Sequence, residues 1–276
     1  MAERDGYIPG VPCWADTQHA DPAAVLPFYE TIFGWTFENV MPEGAPGAYY
    51  IGRIRGGDVA AIGAAPPDAA APPAWNTYVW VDSADAAADR AREAGGTVVS
   101  EPFDVMDAGR MAVLADPEGA SFCVWEANRN KGSRIVNEHG SVNFNNLATR
   151  DHRRAESFYG AVFGWRVLDM PSGLAWALAG YGDHLESIAP GTRENMAAMG
   201  APDGFIDVVA AIEPIGDDDH DTPAHWSITF AVDDVDKAAA VAADAGGTVV
   251  AGPADAPWSR TAVIEDPAGA RFVASQ

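Results

Sequence analysis

Cysteine is nearly absent from this 276-residue chain: Cys13 and Cys123 are too few for a disulfide framework and too few for a zinc site built on thiolates. Any bound metal would have to draw on histidine and carboxylate. Basic residues are scarce as well, with 17 Lys plus Arg against 40 Asp plus Glu and a formal charge of −23. Nucleic acid and anionic membrane both select a basic footprint, so neither is expected as a partner. No apolar run approaches the roughly 20 residues that span a bilayer, and the opening stretch MAERDGYIPG lacks the basic-then-apolar layout of a secretory signal. A cytoplasmic protein is the expectation. What the chain does have is globular composition, 48% hydrophobic and 21% charged, which excludes disorder, collagen and coiled coil and suffices for two domains with cores.

The chain also repeats itself. DPAAVLPFYETIFGW from Asp21 matches DHRRAESFYGAVFGW from Asp151, so Phe28, Tyr29, Phe33, Gly34 and Trp35 recur 130 positions later as Phe158, Tyr159, Phe163, Gly164 and Trp165. The stretch from Trp75 matches that from Trp226, now offset by 151, and Asp116-Pro117-Glu118-Gly119-Ala120 matches Asp266-Pro267-Ala268-Gly269-Ala270 at 150. The growing offset places an insertion of about twenty residues in the second half, around Pro190 to Gly204. Each half then reads as one domain, 8–127 and 140–276, joined by a polar linker at 128–139.

Residues Val11 to Gln18 read as a strand, and Asp21 with Pro22 is an N-cap and first-turn pair. Val25, Phe28, Tyr29, Ile32 and Phe33 then form the stripe of a core-facing helix that stops at Gly34. Tyr49 to Ile62 holds two strands around a hairpin signal at Gly56-Gly57-Asp58. After the Pro-rich link Pro66 to Pro73 come a strand, Asn76 to Val81, and a helix, Ala84 to Ala94, closed by Gly95-Gly96. Thr97 to Val99 and Arg110 to Glu126 finish the half as strands that turn at Asp116 to Gly119. The unit is β-α-β-β-β, present four times, which makes the chain α+β.

That order, with FY…FGW after the first strand and DPxGxxF before the last, resembles the vicinal oxygen chelate superfamily, which includes glyoxalases, fosfomycin and bleomycin resistance proteins and extradiol dioxygenases. The resemblance covers nearly the whole chain, and within the superfamily it is to the tandem two-domain glyoxalase-like group, some of whose members accompany the biosynthesis of aromatic polyketide antibiotics. It implies two tandem domains, each of paired β-α-β-β-β modules curving into a cupped mixed sheet with a ligand cavity. It also implies metal-ligand positions, which fall here on Trp14 and Phe144 of the first strands, Asn76 and Ser227 of the fifth, and Cys123 and Val273 of the last. None of the six is His or Glu, and one thiol among them cannot complete a three-ligand site. Shifting the alignment by one residue brings in Cys13 and Asn143 without supplying a competent set. No metal and no other cofactor is expected.

Strand alternation says which side chains share a cup face. In the arrangement where the first strand of one domain faces the fifth and last of the other, Phe144 and Asn146 meet Asn76, Tyr78, Trp80, Cys123 and Trp125. Trp14, Asp16 and Gln18 then meet Ser227, Thr229, Arg271 and Val273. Tyrosine and tryptophan offer a flat face with a polar tip, which suits a planar aromatic ligand, although plain core filling competes for them. The expected function is metal-free binding of a hydrophobic aromatic small molecule, polyketide or antibiotic-like, for sequestration or resistance or as an accessory to a biosynthetic enzyme. The negative charge would concentrate a cationic drug, and a monomer and a homodimer both fit a tandem chain. The competing expectation is a metal-independent isomerase, cyclase or hydroxylase in which Asp16 or a cavity tyrosine moves a proton. Asp16 is the candidate catalytic residue, with an ion pair to Arg271 as its structural alternative. Asp217 to Asp221 reads as solvated charge and His184 and His225 as structural or surface residues. Cys13 and Cys123, on first and last strands taken as neighbours, read as two buried thiols rather than a disulfide.

Overall fold

A computed structural model describes residues 3–66, 72–171, 173–256 and 259–276, so the middle of the link Pro66 to Pro73 lies outside the described residues. The first half runs β1 (Pro12–His19), α1 (Pro22–Phe33), β2 (Thr36–Asn39), β3 (Tyr49–Ile54), β4 (Gly57–Ala64), β5 (Trp75–Trp80), α2 (Ala84–Glu93), β6 (Thr97–Val105), β7 (Gly109–Ala115) and β8 (Ser121–Ala127). The second half repeats it with β9 (Val142–Thr149), α3 (His152–Phe163), β10 (Trp165–Met170), β11 (Gly173–Leu178), α4 (Tyr181–Ile188), α5 (Thr192–Ala198) and β12 (Val208–Pro214). It ends with β13 (His225–Ala231), α6 (Val235–Asp244), β14 (Thr248–Ala256), β15 (Ser259–Glu265) and β16 (Arg271–Ser275). The inserted residues are thus α4, α5 and a short 3-10 turn at Phe205–Asp207, standing where the first half has only the turn between β3 and β4.

The strands form two eight-stranded cupped sheets, ordered β2-β3-β4-β1-β5-β8-β7-β6 and β10-β11-β12-β9-β13-β16-β15-β14. In each, two successive modules join through an antiparallel pair of their first strands, β1 with β5 and β9 with β13. Each sheet therefore draws on one half of the chain, and the expected pairing of first strands with fifth and last strands of the other half is corrected. Contiguous modules need only short closures to pair, which favours this arrangement.

What crosses between the halves is the helix layer. Phe28 of α1 packs edge-on to Phe272 of β16, and Phe158 of α3 packs on Phe122 of β8. One buried core therefore joins β1, β4 and α1 to β13, β16 and α6, and the other joins β5, β8 and α2 to β9 and α3. Between them Thr77 Oγ1 donates to Asn145 Oδ1 at 3.0 Å, linking the helix-side faces of the two sheets. The turn aspartates complete the crossing. Asp116 Oδ1 accepts the amides of Glu118 and Ala120 within its own turn, while Oδ2 accepts Tyr159 Oη from the other half at 3.1 Å. Asp266 does the same with Ala268, Ala270 and Tyr29, the last at 2.8 Å.

Helix ends follow the sequence signals with one exception. Gly34 and Gly164 close α1 and α3 in the left-handed region, at φ 69° and 76°, where glycine carries no Cβ penalty. Asp151 caps Arg154 N at 3.0 Å, whereas Asp21 makes no side-chain cap and α1 starts on Pro22 alone. Among the described residues no helix is long and apolar enough to cross a membrane.

Candidate ligand site in the two cups

With the helices packed on one face of each sheet, the alternating side chains on the other face line the cups. In the first sheet the register sets Asp16 opposite Asn76, and Trp14 opposite Tyr78, which itself stands opposite Cys123; Trp80 stands opposite Trp125. Trp14, Asp16, Asn76, Tyr78, Trp80, Cys123 and Trp125 thus share one cup. In the second sheet Phe144 stands opposite Thr229, Asn146 opposite Ser227, and Thr229 opposite Val273. The polar residues expected opposite Asp16 therefore belong to Asn146 instead, and the aromatic residues expected opposite Asn146 belong to Asp16. Gln18 is exposed at the rim of the first cup, toward the end of β1.

Asp16 is the centre of the first cup. It is 1% exposed, and three donors hold its carboxylate: Asn76 Nδ2 at 2.9 Å on Oδ1, and Tyr49 Oη at 2.9 Å and Tyr78 Oη at 2.8 Å on Oδ2. Burial pushes its pKa up from the ordinary carboxylate range, and the three hydrogen bonds pull against that shift. The same burial, with Asp16 close by, holds both tyrosine hydroxyls well above their usual range, so they stay protonated donors. Arg271 is not a partner: it lies on the other sheet and pairs with Glu265 at 2.7 Å.

Tyr49 was not anticipated as a site residue. It opens β3, where it stands opposite Gly63, and its ring lies so close that a Cβ on Gly63 would sit 2.9 Å from Tyr49 Cδ2. Trp14 Nε1 donates to its hydroxyl at 3.1 Å, so the Tyr49 oxygen accepts one bond and donates another. The signal was present only as a glycine facing an aromatic across a hairpin.

The floor is closed by its own side chains. Trp14, Tyr78, Cys123 and Trp125 are all buried, with Tyr78 edge-on to Trp125 at 82°, and Trp80 is half-buried. One end of the cup is shut by 130–134, where Asn130 O accepts Trp125 Nε1, Ser133 N donates to Cys13 O and Arg134 N donates to Asp58 O. Tyr7 stacks obliquely on Trp80 at that end, ring centres 6.2 Å apart. Cys13 and Cys123 are free and buried, and β5 stands between their strands. Both thiols are pushed upward by burial, which leaves them protonated and unreactive.

The second cup is smaller in chemistry. Asn146 Nδ2 donates to Thr229 Oγ1 at 2.8 Å and to Ser227 Oγ at 3.4 Å, with no acid or phenol in the group. Phe205 from the inserted segment approaches Phe144 at 6.4 Å. His184 lies outside these clusters, stacked on Tyr181; His225 is exposed at the start of β13, on the same face as Ser227, with Nδ1 2.9 Å from Pro223 O. A cleft of about 300 Å³ opens away from both cups, between Pro9-Gly10, the start of α2 with Ser83 and Arg90, and Phe163 of α3.

Neither cup presents the donors a divalent metal needs. The first offers one carboxylate, both oxygens of which already accept hydrogen bonds, and one buried thiol; the second offers amide and hydroxyl groups with Glu213 and His225 flanking Ala148 on the same face, one carboxylate and one imidazole that fall short of three ligands. Among the described residues no three His, Cys, Asp or Glu side chains come together.

The family model described as "Glyoxalase/Bleomycin resistance protein/Dioxygenase superfamily" matches residues 16–124 and 141–273. "Putative glyoxylase CFP32" of Mycobacterium tuberculosis (strain CDC 1551 / Oshkosh) is 40% identical over 99% of this chain and 97% of its own length. "Anthracycline biosynthesis protein DnrV" of Streptomyces peucetius is 34% identical over 96% of this chain and 93% of its own length. Among solved structures the Mn(II)-bound glyoxalase from Novosphingobium aromaticivorans shares the fold at TM-score 0.60 and 17% identity, over 97% of this chain and 82% of that one.

Proposed function

The chain belongs to the Glyoxalase/Bleomycin resistance protein/Dioxygenase superfamily, and we propose that within it this chain is a metal-free receptor for a hydrophobic aromatic small molecule of the polyketide or antibiotic type. The observation that carries the reading is the first cup: at the positions where the family resemblance implies metal ligands stand Trp14, Asn76 and Cys123, surrounded by Tyr49, Tyr78, Trp80 and Trp125 around one buried carboxylate. Rings with polar tips supply stacking surface and hydrogen bonds to ring substituents, and a charge of −23 raises the local concentration of a cationic glycoside. The relative named for anthracycline biosynthesis supports this ligand class. The role is sequestration of such a compound or its delivery to a biosynthetic enzyme, in the cytoplasm, as a monomer or homodimer.

Tryptophan fluorescence titration with an anthracycline tests it. Saturable quenching is expected, weakened in Trp80→Ala by about 1–3 kcal/mol as for loss of a stacking anchor. Absence of quenching up to the solubility limit, or retention of one equivalent of Zn, Mn or Fe after dialysis, would overturn the reading.

A second reading is favoured by Asp16 itself. A fully buried carboxylate, shifted upward by desolvation and flanked by two phenols, is equipped to move a proton in an isomerisation or cyclisation. Asp16→Asn separates the two readings: turnover lost with ligand binding retained supports the enzyme, and binding without turnover in the parent protein supports the receptor.

A further inference from the structure

We infer that the first cup selects a ligand carrying a free phenolic hydroxyl, which binds Asp16 in the place that the Tyr49 side chain occupies in this structure. The inference rests on the receptor reading above and narrows its ligand class. It starts from an asymmetry between the two phenols on Asp16 Oδ2. Tyr78 is fixed: it sits on the central strand β5, is 5% exposed, and packs edge-on to Trp125. Tyr49 is held less firmly. It is half-buried, it is the first residue of β3 next to the sheet's edge strand β2, and it follows a loop with Gly44 and Gly47 in the left-handed region.

The slot around Tyr49 is shaped for a phenol. Its hydroxyl donates to Asp16 Oδ2 at 2.9 Å and accepts from Trp14 Nε1 at 3.1 Å, a pair of bonds that needs one oxygen able to do both. An aryl ether can accept from Trp14 but has no proton for the carboxylate. The Cδ2–Cε2 edge of the ring comes up against Gly63, where any Cβ would intrude at 2.9 Å, so the backbone itself makes room for the edge of an aromatic ring. Because the other side chains of the floor are buried, an incoming ring reaches Asp16 by taking the Tyr49 position, and the cup exchanges one phenol for another. Tyr49 is then a positioning residue, holding the Asp16–Trp14 pair ready and yielding its place.

The test is chemical rescue. Tyr49→Ala leaves a phenol-sized slot, and p-cresol should bind it, read as a concentration-dependent rise in Tm and a change in tryptophan emission. 4-Methylanisole and toluene should bind about tenfold to a hundredfold more weakly, since each lacks the proton donated to the carboxylate. p-Cresol should not bind the parent protein or Tyr49→Ala with Asp16→Asn at comparable strength. Equal rescue by toluene would mean simple cavity filling and would overturn the inference, as would no rescue by any of the three. If Tyr49→Ala does not fold, Tyr49→Phe serves, because it keeps the ring and frees the oxygen. 1-Hydroxyanthraquinone should then bind about tenfold tighter than to the parent while 1-methoxyanthraquinone is unchanged, and equal gains or none would overturn the inference. The two levels stay separable. Quenching of the parent by an anthracycline without phenol selectivity in the variants refutes the phenol slot alone, whereas rescue by p-cresol without any anthracycline binding refutes the receptor reading alone.

Discussion

The three-donor grip on Asp16 predicts a double-mutant result whose sign does not depend on whether the buried carboxylate is itself stabilising. In the parent protein Tyr78→Phe removes a 2.8 Å hydrogen bond to the carboxylate, at a cost of about 1.5–3 kcal/mol, the range for bonds to charged groups. Asp16→Leu keeps similar volume and removes the acceptor. Tyr49 and Asn76, both half-buried, can turn toward other partners, but the Tyr78 hydroxyl is left buried with only the weakly accepting Cys123 thiol beside it, at about 1–3 kcal/mol. In that background Tyr78→Phe therefore relieves strain instead of adding it. The coupling between the two substitutions should be about 3 kcal/mol, opposite in sign to additivity of two losses. Urea unfolding of the four proteins at pH 7.5, followed by tryptophan emission and far-UV circular dichroism, measures it. Additivity within about 0.5 kcal/mol would show that Asp16 and Tyr78 do not interact and would remove the centre from the proposed site.

The crossed tyrosines give a second test. Tyr159→Phe should cost more than Tyr29→Phe in the same urea assay, because Tyr159 Oη also accepts Trp226 Nε1 at 2.9 Å, whereas Trp75 Nε1 in the matching place has no hydrogen-bond partner; equal losses would contradict the geometry. Gly247→Ala should destabilise by about 1–3 kcal/mol, since its Cβ would meet Phe28 of the other half at 2.6 Å and Glu265 O at 2.8 Å; a neutral result would mean the α1 layer does not pack there. The pH dependence of Asp16 has a fixed sign. Its pKa is raised on folding, so its contribution to stability is fully present below the unfolded value, near 4, and declines as pH rises through the raised folded value. The stability of the parent relative to Asp16→Asn should fall as pH increases above about 4, and a rise over that interval would refute the desolvation argument.

The four modules were legible because their signals are local. The stripe from Val25 to Phe33, the glycine stops at Gly34 and Gly164, and the two DPxG turns each sit within a dozen residues, and each appears where the periodicity puts it. Which module pairs with which was not legible. The faces that could join two modules within a half or across the halves carry the same pattern, so the choice rests on closure and on partners far apart in sequence. The same non-locality hid the role of Tyr29 and Tyr159. Both were visible as repeated residues, as were Asp116 and Asp266, yet each tyrosine serves the aspartate of the opposite half. Tyr49 was invisible for a different reason: its meaning depends on a glycine fourteen positions away and on a carboxylate one strand further across the sheet.

The duplication makes the difference between the cups informative. Asp16, Asn76 and Tyr78 correspond in the repeat to Asn146, Ser227 and Thr229, and both trios are joined by hydrogen bonds in the same places. The polar skeleton is therefore a property of the fold, needed wherever those three positions face one another behind a closed floor. Had the first cup needed only that skeleton, an amide and two small hydroxyls would serve there as they do in the second. Instead it carries an acid whose ionisation burial opposes, two phenols that burial keeps protonated, and three tryptophans on the same face. A buried carboxylate is harder to accommodate than an amide, and the surrounding structure has spent three donors on it. Those additions exceed what packing requires, and the buried acid gripped by two phenols has no counterpart in the second cup, which is the ground for assigning the proposed ligand site to the first sheet.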